Sequence, residues 1–143
     1  MALVEKSALV PYSAQQMFEL VSQIERYPEF LPWCSSAELK EQDASRVVAT
    51  LGIAFKGIRQ SFTTENRHND TSAIDMALVD GPFRQLTGRW EFIVLRENAC
   101  KVSLRLEYEF SSRLLEQVVG PVFGTISNSM VDGFIARADQ LYG

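Results

Sequence analysis

His68, in the run Asn66-Arg67-His68-Asn69-Asp70, is the only histidine of the chain, so a Ser-His-Asp or Cys-His arrangement would have to use it. The run ends a strand pattern beside a turn, far from the apolar stripes, and reads as a surface turn. Cys34 and Cys100 are too few for a disulfide framework or a cysteine-based metal site, and both read as free thiols. One histidine and two cysteines leave a zinc site of the usual kind short of ligands. Gly52 and Gly57 do not sit where a phosphate loop needs them, between a strand and the start of a helix. Glu107 and Glu109 alternate with apolar residues on the wet side of a strand, which is no pairing for acid–base work. No catalytic residue and no metal ligand is assigned.

Polar residues in phase with apolar ones are better placed to meet a small molecule. Gln60 and Thr64 alternate in phase with Ile58 and Phe62, which turns them inward. Asp80 is in phase with Ile74, Met76 and Leu78 but falls at a turn. Arg84 and Arg89 flank the mouth of any enclosed space or lie outside it. The plainer reading of each is a satisfied structural or surface group.

These positions depend on the elements that carry them. Residues 3–10 form an opening strand that Pro11 stops. Ser13 and Gln16 fit a capping box for a helix over 14–24, whose Met17, Phe18, Val21 and Ile24 face the core. Tyr27-Pro28-Glu29-Phe30-Leu31-Pro32-Trp33 is a short helical turn or loop, because two prolines forbid more. It reads either as a lid that touches membranes or as a plug in the core. Period-two patterns then place strands near 35–41, 45–54, 56–67, 72–80, 86–94 and 101–110, with bulges or bends expected at Gly52, Gly57 and Gly88. The last pattern sets Val102, Leu104, Leu106, Tyr108 and Phe110 against Lys101, Ser103, Arg105, Glu107 and Glu109, a half-buried antiparallel strand. Residues 112–141 carry a helical stripe of Leu115, Val119, Val122, Ile126, Met130, Phe134, Ala138 and Leu141, widened by Phe123 and loosened at Gly120-Pro121.

A single antiparallel sheet must cover its apolar face, and only the last helix is long enough to do so. The expectation is an α+β domain over 1–143, a curved sheet of about seven strands wrapped around the long C-terminal helix. Aromatic residues crowd the elements around the enclosed space: Phe18, Tyr27, Phe30, Trp33, Phe62, Phe83, Trp90, Phe92, Phe123 and Phe134. Composition does not tell an open cavity from a filled interior. A cavity would add Met76, Leu78, Leu106, Tyr108, Val122, Ile126 and Met130 to its lining.

A net charge of −4 and a pI near 5.0 argue against bulk attraction to nucleic acid, and no direct DNA binding is expected. The N-terminus has no basic region followed by an apolar one, and no apolar run approaches about 20 residues. A soluble, cytoplasmic protein is expected.

Three segments, YPEFLPWC (27–34), GPFRQLTGRWEF (81–92) and NSMVDGFIARADQLYG (128–143), resemble the coenzyme Q-binding, polyketide cyclase-like family. That family lies within the START or birch-pollen-allergen superfamily, and its bacterial branch includes the ribosome association toxin. The resemblance runs the length of the chain and implies a helix-grip fold. It also implies a hydrophobic pocket for ubiquinone or a similar polyprenyl lipid, in support of respiration. A headgroup would then meet Gln60, Tyr108, Arg84 or Arg89, with no obligatory cofactor. The toxin branch implies a different role, binding the large ribosomal subunit and blocking its joining to the small one. An aromatase or cyclase acting on a small polyketide is the third reading, and the residues offer it the least.

Overall fold

The computed structural model describes residues 2–143, so residue 1 of the expected span lies outside the described residues. The elements run β1 (Ala2–Val10), α1 (Ala14–Ser22), a 3-10 turn (Ile24–Glu29), β2 (Cys34–Gln42), β3 (Arg46–Phe55), β4 (Ile58–Asn69), β5 (Ala73–Asp80), β6 (Phe83–Arg96), β7 (Ala99–Phe110) and α2 (Arg113–Tyr142). All seven strands form one antiparallel sheet in the order β1-β7-β6-β5-β4-β3-β2. Consecutive hairpins build it, and β1 crosses over to close the edge beside β7. The curved sheet around a long C-terminal helix is the expected helix-grip architecture.

Local chemistry explains the ends. Ser13 accepts from the backbone N–H of Gln16, and the Gln16 side chain accepts from that of Ser13, so the capping box starts α1. The helix stops at Ser22, shorter than expected, and Pro28 lies inside the 3-10 turn that follows. Lys56 and Gly57 both adopt positive φ, +51° and +81°, in the two-residue link between β3 and β4. Gly57 is therefore a turn residue rather than a bend within a strand. Ladder irregularities fall at Ser35 of β2, opposite Gly52 and Ile53, at Lys40 of β2, at Val79 of β5, and at Arg84 and Leu95 of β6. Gly88 pairs regularly with Met76 and Leu106.

α2 runs unbroken through Pro121, whose missing N–H leaves one turn of the ladder open. Its buried row is Val119, Phe123, Ile126, Ser127, Val131, Phe134 and Ala138. Relative to the stripe read from sequence this row is rotated: Val122 and Met130 are half-buried and Leu141 is exposed. Ser127 is satisfied within the helix by donating to the carbonyl of Phe123 at 2.8 Å. Phe134 is fully buried between Tyr27, Phe30 and Trp90, with ring centroids at 5.2, 5.5 and 5.3 Å. Truncating such a residue to Ala costs about 3–5 kcal/mol.

The Tyr27–Trp33 segment packs inward. Tyr27, Leu31 and Trp33 are buried, and the Tyr27 hydroxyl donates to the carbonyl of Val21. Arg137 of α2 clamps the segment from outside, bonding Glu29 at 3.0 Å and lying 5.0 Å from the Phe30 ring. Of the two readings of this segment, the plug matches its packing and the membrane-touching lid does not.

Candidate functional site

Two aromatic clusters occupy the ends of the space between sheet and helix. At the end near the start of α2, Phe123 packs on Phe62, Phe83, Tyr108 and Phe110 with centroids 4.8–6.1 Å apart. The Phe134 cluster closes the other. Between them lies an apolar cavity of about 50 Å³. That is room on the order of four waters, the bulk of a small ring.

The lining comes from every side. The plug supplies Ile24, Tyr27 and Trp33, and α2 supplies Phe123, Ile126 and Met130. The sheet adds Ala49, Leu51, Phe62, Thr64, Asn66, Met76, Leu86, Trp90, Leu104 and Leu106. Many expected lining residues are present. Phe18, Phe30, Leu78, Phe83, Phe92, Tyr108, Val122 and Phe134 instead pack around the cavity as core or partly buried neighbours. The aromatic side chains thus fill much of the interior that the sequence left open. Ala49, Leu51, Leu86 and Leu104 were legible from strand phase alone.

One wall is polar. The inner phase of β4 runs Gln60, Phe62, Thr64, Asn66 and His68, and Thr64 and Asn66 are buried. Thr64 donates to Asn66 Oδ1 at 3.0 Å. Trp33 Nε1, also buried, has no hydrogen-bond partner. None of the lining residues is Asp, Glu, His, Lys or Arg.

The structure places four polar candidates, His68, Arg84, Arg89 and Gln60, outside the main cavity. His68 is part of β4, not of a turn, and its ring meets Phe18 edge-on at 5.3 Å. Its Nε2 is buried without a partner beside a second, smaller cavity that Asn66, Tyr27, Met76 and Trp90 also line. Burial lowers its pKa from the ordinary value. Arg84 and Arg89 lie on the outer face, paired with Glu109 at 3.4 Å and Asp75 at 2.7 Å, away from any headgroup position inside. A ladder irregularity between Phe83 and Gln85 carries β6 out of simple alternation at Arg84. Gln60 lies at an outer groove with Gly57, Ile58, Arg59, Leu114, Leu115, Val118 and Val119, not in the cavity.

Cys34 and Cys100 are buried free thiols. Burial pushes the Cys34 thiol up to about 11, against a smaller lowering from the Ser36 backbone. A thiol so raised is a poor nucleophile at neutral pH. Among the described residues no group of three or more His, Cys, Asp or Glu side chains could hold a metal ion. No helix among the described residues is long and apolar enough to cross a membrane.

A family model described as polyketide cyclase/dehydrase and lipid transport matches residues 10–135. A Vibrio cholerae protein named ribosome association toxin RatA is 48% identical over 143 residues, covering 100% of this chain and 99% of the relative. A Pseudomonas aeruginosa protein of the same name is 44% identical, covering 98% and 97%. A mitochondrial coenzyme Q-binding protein COQ10 of Dictyostelium discoideum is 25% identical, covering 97% and 70%. Among solved structures, an 18 kDa Caulobacter crescentus protein superposes with a TM-score of 0.77 at 30% identity, covering 100% and 99%. The Zhui aromatase/cyclase of Streptomyces sp. R1128 gives 0.85 at 15% identity, covering 97% and 94%, and so shares the fold.

Proposed function

The chain belongs to the polyketide cyclase/dehydrase and lipid transport family, in the branch of the ribosome association toxins, and on that premise we propose that it is a cytoplasmic protein that binds the large ribosomal subunit and blocks its joining to the small one. The observation that carries this reading is the end-to-end match to the two relatives of that name. The chain covers 97% and 99% of their length, so their activity resides in a span that this chain matches. We read the chain as a binding protein rather than a catalyst, because the cavity wall holds no carboxylate, imidazole or cationic group to move a proton.

With a net charge of −4, attraction to RNA must be local. Lys56, Arg59 and Arg113 supply it. All three lie beside the outer groove between the β3–β4 hairpin and the start of α2, and none has a carboxylate partner among the described residues. Exposed Leu114 and Val118 share that groove and suit a ribosomal protein surface beside the RNA. Pelleting purified large subunits with the protein tests the reading. Co-pelleting with large but not small subunits is expected, and protein left in the supernatant at excess subunit overturns it.

Carriage of an apolar molecule is a second reading, favoured by the cavity itself. The more distant coenzyme Q-binding relative supports a quinone. The room available suits the ring of such a molecule better than a polyprenyl tail, which would need the clusters around Phe123 and Phe134 to part.

A further inference from the structure

The two edges of the sheet differ. β2 is broken by ladder irregularities at Ser35 and Lys40, and the Cys34 N–H that opens it bonds back to the Leu31 carbonyl. β1 keeps its register with β7 over all nine residues, Ala2–Val10, with no proline and no bulge. Alternate residues of such a strand direct their N–H and C=O away from the neighbour they pair with. Among the described residues no backbone group of β1 bonds to any element but β7. A long, regular edge left open is a template for one more strand.

The side chains of β1 narrow what that strand can be. Leu3 and Leu9 stand 50% and 72% exposed on the outer phase, opposite Glu107 and Lys101. Lys6 is exposed on the inner phase, opposite Leu104, and forms no ion pair among the described residues. An added strand sets a residue of the same face opposite each of these. A second copy of β1 that continued the sheet would therefore oppose positions of like parity. Lys6 would meet Ala2, Val4, Lys6, Ala8 or Val10, and no such register brings it a carboxylate. We propose that the open edge of β1 takes up an extended segment of a partner protein, with an acidic residue opposite Lys6 and apolar residues opposite Leu3 and Leu9. Main-chain hydrogen bonds hold the segment, and Lys6 selects it. Glu5 already lies 3.4 Å from Arg105 and asks for no further charge. This edge shares no residue with the groove assigned to the ribosome, so either property can fail without the other.

The test uses two end-blocked peptides, Val-Thr-Thr-Glu-Thr-Thr-Val and the same sequence with Lys in place of Glu. Each is titrated into the 15N-labelled full chain, and the backbone amides of β1 are followed. With the Glu peptide, alternate β1 amide protons are expected to move downfield as they gain acceptors. That peptide should bind about threefold more tightly than its Lys counterpart, as a cross-strand charge pair would give. Lys6→Gln should abolish the preference and Lys6→Glu should invert it, with α2 resonances unchanged as the sign of a retained fold. Unmoved β1 amides up to the solubility limit, equal affinities in the native chain, or a preference that survives Lys6→Gln would each overturn the proposal. So would β1 shifts that grow with protein concentration alone, which would give the edge to a second copy. The comparison of the two peptides in the native chain decides the matter even where a variant fails to fold.

Discussion

Thr64 gives its hydroxyl proton to Oδ1 of Asn66 across 3.0 Å, both side chains being buried on the inner phase of β4. The bond satisfies two groups that would otherwise be expensive in an apolar interior, and it fixes the carboxamide's orientation. Thr64→Val keeps the shape but strands the Asn66 oxygen. The expected loss is about 1–2 kcal/mol of stability, read as a lower urea midpoint at unchanged slope. An unchanged midpoint would mean that the bond carries no net energy.

His68 supplies a pH dependence. Burial lowers its folded pKa below the ordinary 6.5, so the unfolded chain binds the proton more readily. Stability is then full above about pH 6.5 and falls as the pH drops through the window below it. The smaller cavity beside the ring contains only Tyr27 as another titratable group, and burial holds that phenol protonated. Because no other histidine exists, His68→Phe should flatten the stability profile between pH 7 and 5. A variant with the native profile would place the dependence elsewhere.

Gly81 tests how tightly the β5–β6 turn meets the sheet. Its φ is +153°, and a Cβ there would stand 2.7 Å from that of Phe62. Gly81→Ala combines backbone strain with overpacking and should cost about 1–3 kcal/mol. A thermal midpoint equal to the native one would show that the turn relaxes freely.

Much of this architecture was legible in the sequence. Strand phase placed Leu104, Leu106 and Trp90 inside, and the capping box at Ser13 marked the start of α1. The misreading of His68 has a physical cause, which is that polar residues on an inner phase look like surface. Asn66 and His68 continue the phase of Phe62 and Thr64, so the signal was present, but a run of Asn, Arg, His, Asn and Asp reads as a turn. Arg84 depended on a strand irregularity that alternation alone does not reveal. Whether the aromatic residues fill or surround the interior is a matter of side-chain packing in three dimensions, and Phe123 and Phe134 settle it by closing both ends.

Charge reversal probes the proposed ribosomal face. Among the described residues Arg59 and Arg113 are exposed and in no ion pair, so Arg59→Glu with Arg113→Glu should leave the fold intact. Affinity for the large subunit should fall at least about tenfold, and its salt dependence should become shallower as phosphate contacts are lost. Native affinity and salt slope would move the RNA-facing surface away from this groove.

Subunit joining is the property that the proposed role most directly governs. Purified small and large subunits, mixed under conditions that favour association, are to be resolved by sucrose-gradient sedimentation with increasing protein. The prediction is loss of the joined-ribosome peak, with the protein migrating in the large-subunit fractions. An undiminished joined peak at molar excess, with the protein remaining at the top of the gradient, would contradict it.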